Sequence, residues 1–208
     1  MRPQIIAGTV AVVALAGLAL AQGGRMASPA GVASTEIRGR YAGSSAEPVY
    51  QEGKWIEITY GRPIKRGRDL WGTGADYGQK VNAGAPVWRA GANMSTRLKT
   101  ELPLVINGKT VPAGEYSLFI DLKPNNWTLI VSRWAAQKSE STQEKDALWG
   151  SYDYTPDKDV VRAPMKLETP PHAVDQLTWE FLDVTDSGGL IAISWDKVMA
   201  SVQFKVGS

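Results

Sequence analysis

Residues 55–60 read Trp-Ile-Glu-Ile-Thr-Tyr, and this period of two returns along most of the chain. Successive side chains of a strand point to opposite faces, so Ile56, Ile58 and Tyr60 share one face. Thr96, Leu98 and Thr100 alternate with Arg97, Lys99 and Glu101. The same spacing sets Tyr116, Leu118 and Ile120 together, then Leu177, Trp179 and Phe181, then Val198 to Val206. Turn chemistry separates these runs. Asn107-Gly108 between Leu104–Ile106 and Lys109–Val111 supplies the positive φ angles of a type I′ hairpin turn. Pro112-Ala-Gly114, Pro124-Asn-Asn126 and Asp186-Ser-Gly-Gly189 mark further turns. No amphipathic helix longer than about three turns is visible. Short strands with regular turns predict an all-β fold, an antiparallel β-sandwich of jelly-roll-like type with one long Gly/Arg/Trp-rich loop region.

The chain has 208 residues and no cysteine, which removes disulfides, thiol nucleophiles and thiolate metal sites. Its start combines Arg2, an uncharged apolar run from Ile5 to Leu20, and Ala19-Leu20-Ala21. That pattern reads as a signal peptide over residues 1–21, and the rival reading is an uncleaved anchor. Export to the periplasm or beyond is the expectation, with no membrane span after removal of the signal. The remainder would have 208 − 21 = 187 residues. A chain of that size can hold a core without covalent staples. Residues 22–31 read as a flexible tether and 32–206 as one β-sandwich domain. Without Arg2, 22 Lys and Arg face 21 Asp and Glu, a net charge of +1. That balance excludes a field suited to nucleic acid. Residues 135–147 are polar and read as helical or disordered, a solvated excursion between strands.

Residues 60–93 show neither period and carry seven glycines among Arg62, Arg66, Arg68, Arg89, Trp71 and Trp88. Long loops without secondary structure of their own are often functional. Guanidinium groups bind carboxylate or phosphate bidentately and stack on indoles. The expected ligand is therefore a small polar or anionic molecule, or a partner segment. Arg62, Arg68 and Arg89 would meet its oxygens, Trp71 and Trp88 would form apolar walls, and Asn93 would orient it. In the competing reading these side chains brace the loop internally, in a structural or envelope-assembly protein.

Catalytic signatures are sparse. His172 is the lone histidine, it follows Pro170-Pro171, and no Gly-x-Ser-x-Gly elbow accompanies it. A carboxylate-dependent hydrolase, calcium-assisted through Asp153, Asp157 and Asp159, is the alternative, although their spacing is not that of an EF-hand loop. No cofactor is expected, and a non-enzymatic role is favoured.

Several motifs occur together in order: Tyr60-Gly-Arg-Pro63, Gly67-Arg68, Val87-Trp-Arg89, Gly91-Ala-Asn93, Asn107-Gly-Lys109, Pro112-Ala-Gly114, Tyr116-Ser-Leu-Phe119, and Leu148-Trp-Gly150 with Tyr152. Over about residues 28–206 the chain resembles a bacterial exported family, domain of unknown function 2911. The resemblance implies a secreted or periplasmic β-rich domain with no assigned activity and no catalytic residues to transfer.

Overall fold

The computed structural model describes residues 27–141 and 144–207; the expected signal peptide (1–21) and residues 22–26 of the expected tether lie outside them. Two antiparallel sheets pack face to face. The first joins β1 (Ala30–Ile37), β4 (Lys54–Gly61), β5 (Thr96–Thr100), β8 (Gly114–Asp121), β9 (Thr128–Ser132) and β12 (Asp159–Pro164), in that order. The second joins β14 (Val174–Thr185), β15 (Gly188–Asp196), β16 (Val198–Val206), β6 (Leu104–Ile106) and β7 (Lys109–Val111), with β13 (Lys166–Glu168) also on β16. The first sheet runs in rising chain order, interrupted where β6–β7 crosses to the second. A separate hairpin, β2 (Arg40–Ser44) with β3 (Glu47–Gln51), projects between β1 and β4.

The predicted alternation is realised. Ile56, Ile58 and Tyr60 are buried, as are Thr96, Leu98 and Thr100. Asn107 and Gly108 have φ of 48° and 73°, which closes the β6–β7 hairpin. Leu98, Leu118, Leu129 and Val131 of the first sheet share the core with Leu177, Ile191, Ile193 and Phe204 of the second.

Two expectations are corrected. Ala30 and Gly31 are not tether: they open β1 and pair with Gly61 and Tyr60, because β4 offers a free edge there. Residues 135–147 are not helical where described. β10 (Ala135–Ala136) pairs in parallel with β11 (Ala147–Leu148), and Gln137 is 8% exposed. The segment covers the outer face of the first sheet. Phe119 and Ile130 on that face pack against Leu148, Tyr154 and Val87. Tyr116 to Ile120 of β8 are accordingly buried on both faces.

Four tryptophans hold the long loop in place. Trp71 and Trp88 from the loop pack with Trp127, which precedes β9, and Trp195 on β15. The rings of Trp71 and Trp127 lie 4.8 Å apart, and Trp88 stacks on Trp195 at 6.1 Å with planes 13° apart. The Trp127 indole donates to Tyr77 Oη at 2.9 Å and that of Trp195 to the Asp175 carbonyl at 3.2 Å. Loop and sheets also exchange backbone hydrogen bonds: Trp88 bridges Ile120 of β8, and Ile64 bridges Gln176 of β14. One helical turn, α1 (Gln79–Asn82), and two 3-10 turns (Gly74–Asp76 and Pro156–Lys158) are the only helices among the described residues.

Truncating a buried Trp costs about 3–5 kcal/mol through lost transfer energy and the cavity left behind. Trp88→Ala should show a loss of this size in urea melts. Trp55→Ala, outside the cluster, should cost much less.

Candidate functional site

β5 pairs with β8 as far as Thr96 opposite Leu118. The next position on the β8 edge, Ile120, is taken by Trp88, with N–H···O bonds of 2.9 and 2.8 Å. Residues 89–95 thus leave the sheet between two fixed pairings and form a strap. Its conformation needs positive φ at Ala90 (52°) and Asn93 (63°). Asn adopts this region readily and Ala does not, so the ends of the strap enforce it. The Ala90 carbonyl points inward and accepts from Trp179 Nε1 at 2.9 Å and Thr96 Oγ1 at 3.2 Å. Arg89 Nη1 donates to the Asn93 carbonyl at 2.6 Å and closes the strap on itself. The Arg89 guanidinium also lies over the Tyr152 ring, 5.0 Å from its centroid. Gly150 makes room for this group, since a Cβ there would meet Arg89 Cζ at 2.5 Å.

The strap encloses a pocket of about 300 Å³ with the outer face of β1–β4–β5 and the segment after β11. Its floor is Ala30, Thr59, Tyr60 and Gly61. Ala92, Asn93, Met94 and Ser95 form one side, Ser28 and Trp149 complete the wall, and Arg97 stands at the edge. A Cβ on Gly61 would overlap the Ala92 carbonyl, so glycine is what allows the strap to sit this low. Two polar side chains of the lining are paired, while those of Thr59, Tyr60 and Trp149 form no hydrogen bond among the described residues. Asn93 Nδ2 donates to the Ser28 carbonyl at 3.3 Å, and Ser95 Oγ contacts the carbonyls of Leu148 (3.1 Å) and Gly150 (2.5 Å). Met94 is 37% exposed and Trp149 half-buried, which leaves apolar surface facing the opening.

Of the six ligand-contact residues expected from sequence, Asn93 alone lines this pocket. Trp88 is 1% exposed and Trp71 packs against the core, so their indoles face each other and not a cavity. The three guanidiniums do not converge. Arg62 Nε donates to the Leu177 carbonyl at 3.4 Å. Arg68 serves the carbonyls of Lys65 (3.0 Å) and Ile64 (2.7 Å) and sits 5.9 Å from the Trp195 ring. Arg89 closes the strap. Ser28, Met94, Arg97 and Trp149 escaped sequence reasoning because they come from segments far apart in the chain, and no local motif joins them.

The three aspartates are likewise not gathered. Asp157 accepts from Thr155. Asp159 Oδ2 accepts from Tyr154 Oη at 2.7 Å and Arg162 at 3.1 Å, and its Oδ1 is buried with no partner among the described residues. Asp153 is exposed. Among the described residues no three His, Cys, Asp or Glu side chains stand where they could hold a metal. His172 is exposed in the loop before β14.

Tyr154 covers the outer face of β8, its ring 5.1 Å from that of Phe119. Burial pushes its phenol pKa up, the hydrogen bond to Asp159 adds to this, and the Arg162 guanidinium opposes it.

The family model described as Protein of unknown function (DUF2911) matches residues 44–204. No curated protein and no solved structure matches the chain. No helix among the described residues is long and apolar enough to cross a membrane.

Two outcomes follow from this geometry. Gly61→Ala should lower stability by about 2–3 kcal/mol, the scale of a forced backbone shift in a packed region, and proteolysis should then cut the strap faster. An unfolded phenol ionises near pH 10, while folded Tyr154 keeps its proton. The folded state then binds more protons, so stability falls as pH rises past about 10. Tyr154→Phe, less stable at neutral pH, should show a shallower fall in alkaline urea melts.

Proposed function

Because the chain belongs to the family described as Protein of unknown function (DUF2911), a description that names no activity, we propose a role from its site. The protein is an exported binding domain, not an enzyme, and it takes a small ligand in the pocket beneath the strap. One observation carries this. The pocket of about 300 Å³ is largely apolar, yet it opens on the outer face of the first sheet and meets the core cluster only at Tyr60. Apolar surface left outside a core in this way costs free energy unless something covers it. Its size lies at the lower end of ligand sites, which begin near 300 Å³. The strap that forms it is tied at both ends, so the site is preorganised and little ordering entropy opposes binding.

Arg62, Arg68, Trp71 and Trp88 then serve the fold, and the segment 60–93 contributes to recognition through its last residues. Export is read from the first residues, where Arg2, the apolar run and Ala19-Leu20-Ala21 form a signal-peptide pattern.

A two-ring aromatic compound that buries roughly 200 Å² gains about 5 kcal/mol at about 25 cal/mol per Å². Much of this is lost to association, so affinities in the millimolar range or weaker are expected. Neutral, anionic and cationic naphthalene derivatives should be screened by thermal shift. At ten times its Kd, a binder adds about 1.4 kcal/mol and raises Tm by about 3–6 °C. Ala30→Trp, which fills the floor of the pocket from an exposed strand position, should abolish the shift, and Arg68→Ala should leave it. No shift with any compound, or an undiminished shift in Ala30→Trp, defeats the reading.

A further inference from the structure

We propose that the ligand is a compact apolar molecule bearing one carboxylate, with Arg97 as its counter-ion. This deepens the reading that the pocket binds a ligand and rests on it. Arg97 is the sole charged side chain in the lining. It lies on the outer face of β5, between Thr59 of β4 and Ser117 of β8. Among the described residues it forms no ion pair. The nearest carboxylates along this face, Glu57 and Glu115, stand one row further on, either side of Lys99. They have their own cation between them. Lys99 balances one of these two carboxylates, so an anion is favoured by direct contact with the Arg97 guanidinium and not by the wider field.

The other polar groups narrow the choice. Asn93 Nδ2 and Ser95 Oγ are bonded to main-chain carbonyls. The lining is mostly apolar, so a ligand rich in hydroxyls, such as a sugar, would give up more hydrogen bonds to water than Thr59, Tyr60 and Trp149 could return. A cationic ligand would meet Arg97 with like charge. An apolar body with one anionic end matches the largely apolar lining and its single guanidinium. The guanidinium is planar and presents paired N–H donors that match the two oxygens of a carboxylate. A cavity of about 150 Å³ holds benzene, so a site of about 300 Å³ has room for two fused rings.

Isothermal titration of the chain with 2-naphthoate, 2-naphthamide and 2-naphthylmethylammonium separates the possibilities. Arg97 is exposed, and an exposed charge pair is worth up to about 1 kcal/mol, so wild type should bind naphthoate about 3- to 5-fold more tightly than the amide. The ammonium compound should bind most weakly. Arg97→Gln should bring naphthoate down to the level of the amide and leave the amide unchanged, and Arg97→Lys should keep part of the preference. Equal affinities in wild type, a preference for the cation, or a preference that survives Arg97→Gln overturns the counter-ion role. If those affinities still fall in Ala30→Trp, the pocket itself stands. Absence of binding by all three compounds removes the pocket and this inference together.

Discussion

Packing among four indoles sets the course of the long loop between β4 and β5. Trp71 and Trp88 enter from a loop that has little regular structure, while Trp127 and Trp195 belong to opposite layers of the sandwich. Aromatic pairs gain about 0.5–1.5 kcal/mol beyond the area they bury, and five such pairs meet here. A glycine-rich loop loses much backbone entropy on ordering. Burial of large rings against both sheets offsets that loss, and the chain can then hold one course across the top of the core. In this arrangement Arg62 Nε meets the Leu177 carbonyl of β14 and so links the loop to the second sheet.

The anchored loop in turn creates the pocket. Trp88 occupies the β8 edge beside Ile120, and β5 regains that edge at Thr96. Residues 89–95 cannot lie flat between two neighbouring pairing positions, so they rise over the outer face. Their inward carbonyl at Ala90 is satisfied by Trp179 and Thr96, and their lateral contacts reach Ser28 and Gly150. The hollow beneath is a consequence of register on the sheet. A shelter for a ligand and a means of closing the end of the sandwich come from the same excursion.

Much of the fold was legible. The alternation in Trp55–Tyr60 and in Ser95–Glu101 reports which face is buried, and the observed burial follows it. Asn107-Gly108 reports its turn because φ preferences are local. Residues 135–147 misled because their polarity resembles that of a solvated loop, while Leu148 just beyond and Gln137 within are buried over the sheet. Arg and Trp in one segment suggested a shared site. Their donors instead run to separate carbonyls, and their rings turn inward, since an indole gains more from contact with other indoles than from an open wall.

By itself the sequence determined an all-β antiparallel sandwich without disulfides and the family to which it belongs. Period, turn residues and composition are properties of neighbours in the chain, and they can be read without coordinates. Only the tertiary structure decided which of the Arg, Trp and Asn side chains face outward. It also brought Ser28, Gly61, Met94, Arg97 and Trp149 around one hollow. That grouping depends on strand pairings between residues far apart in the chain, and no local preference encodes which edge of β8 the Trp88 backbone will take.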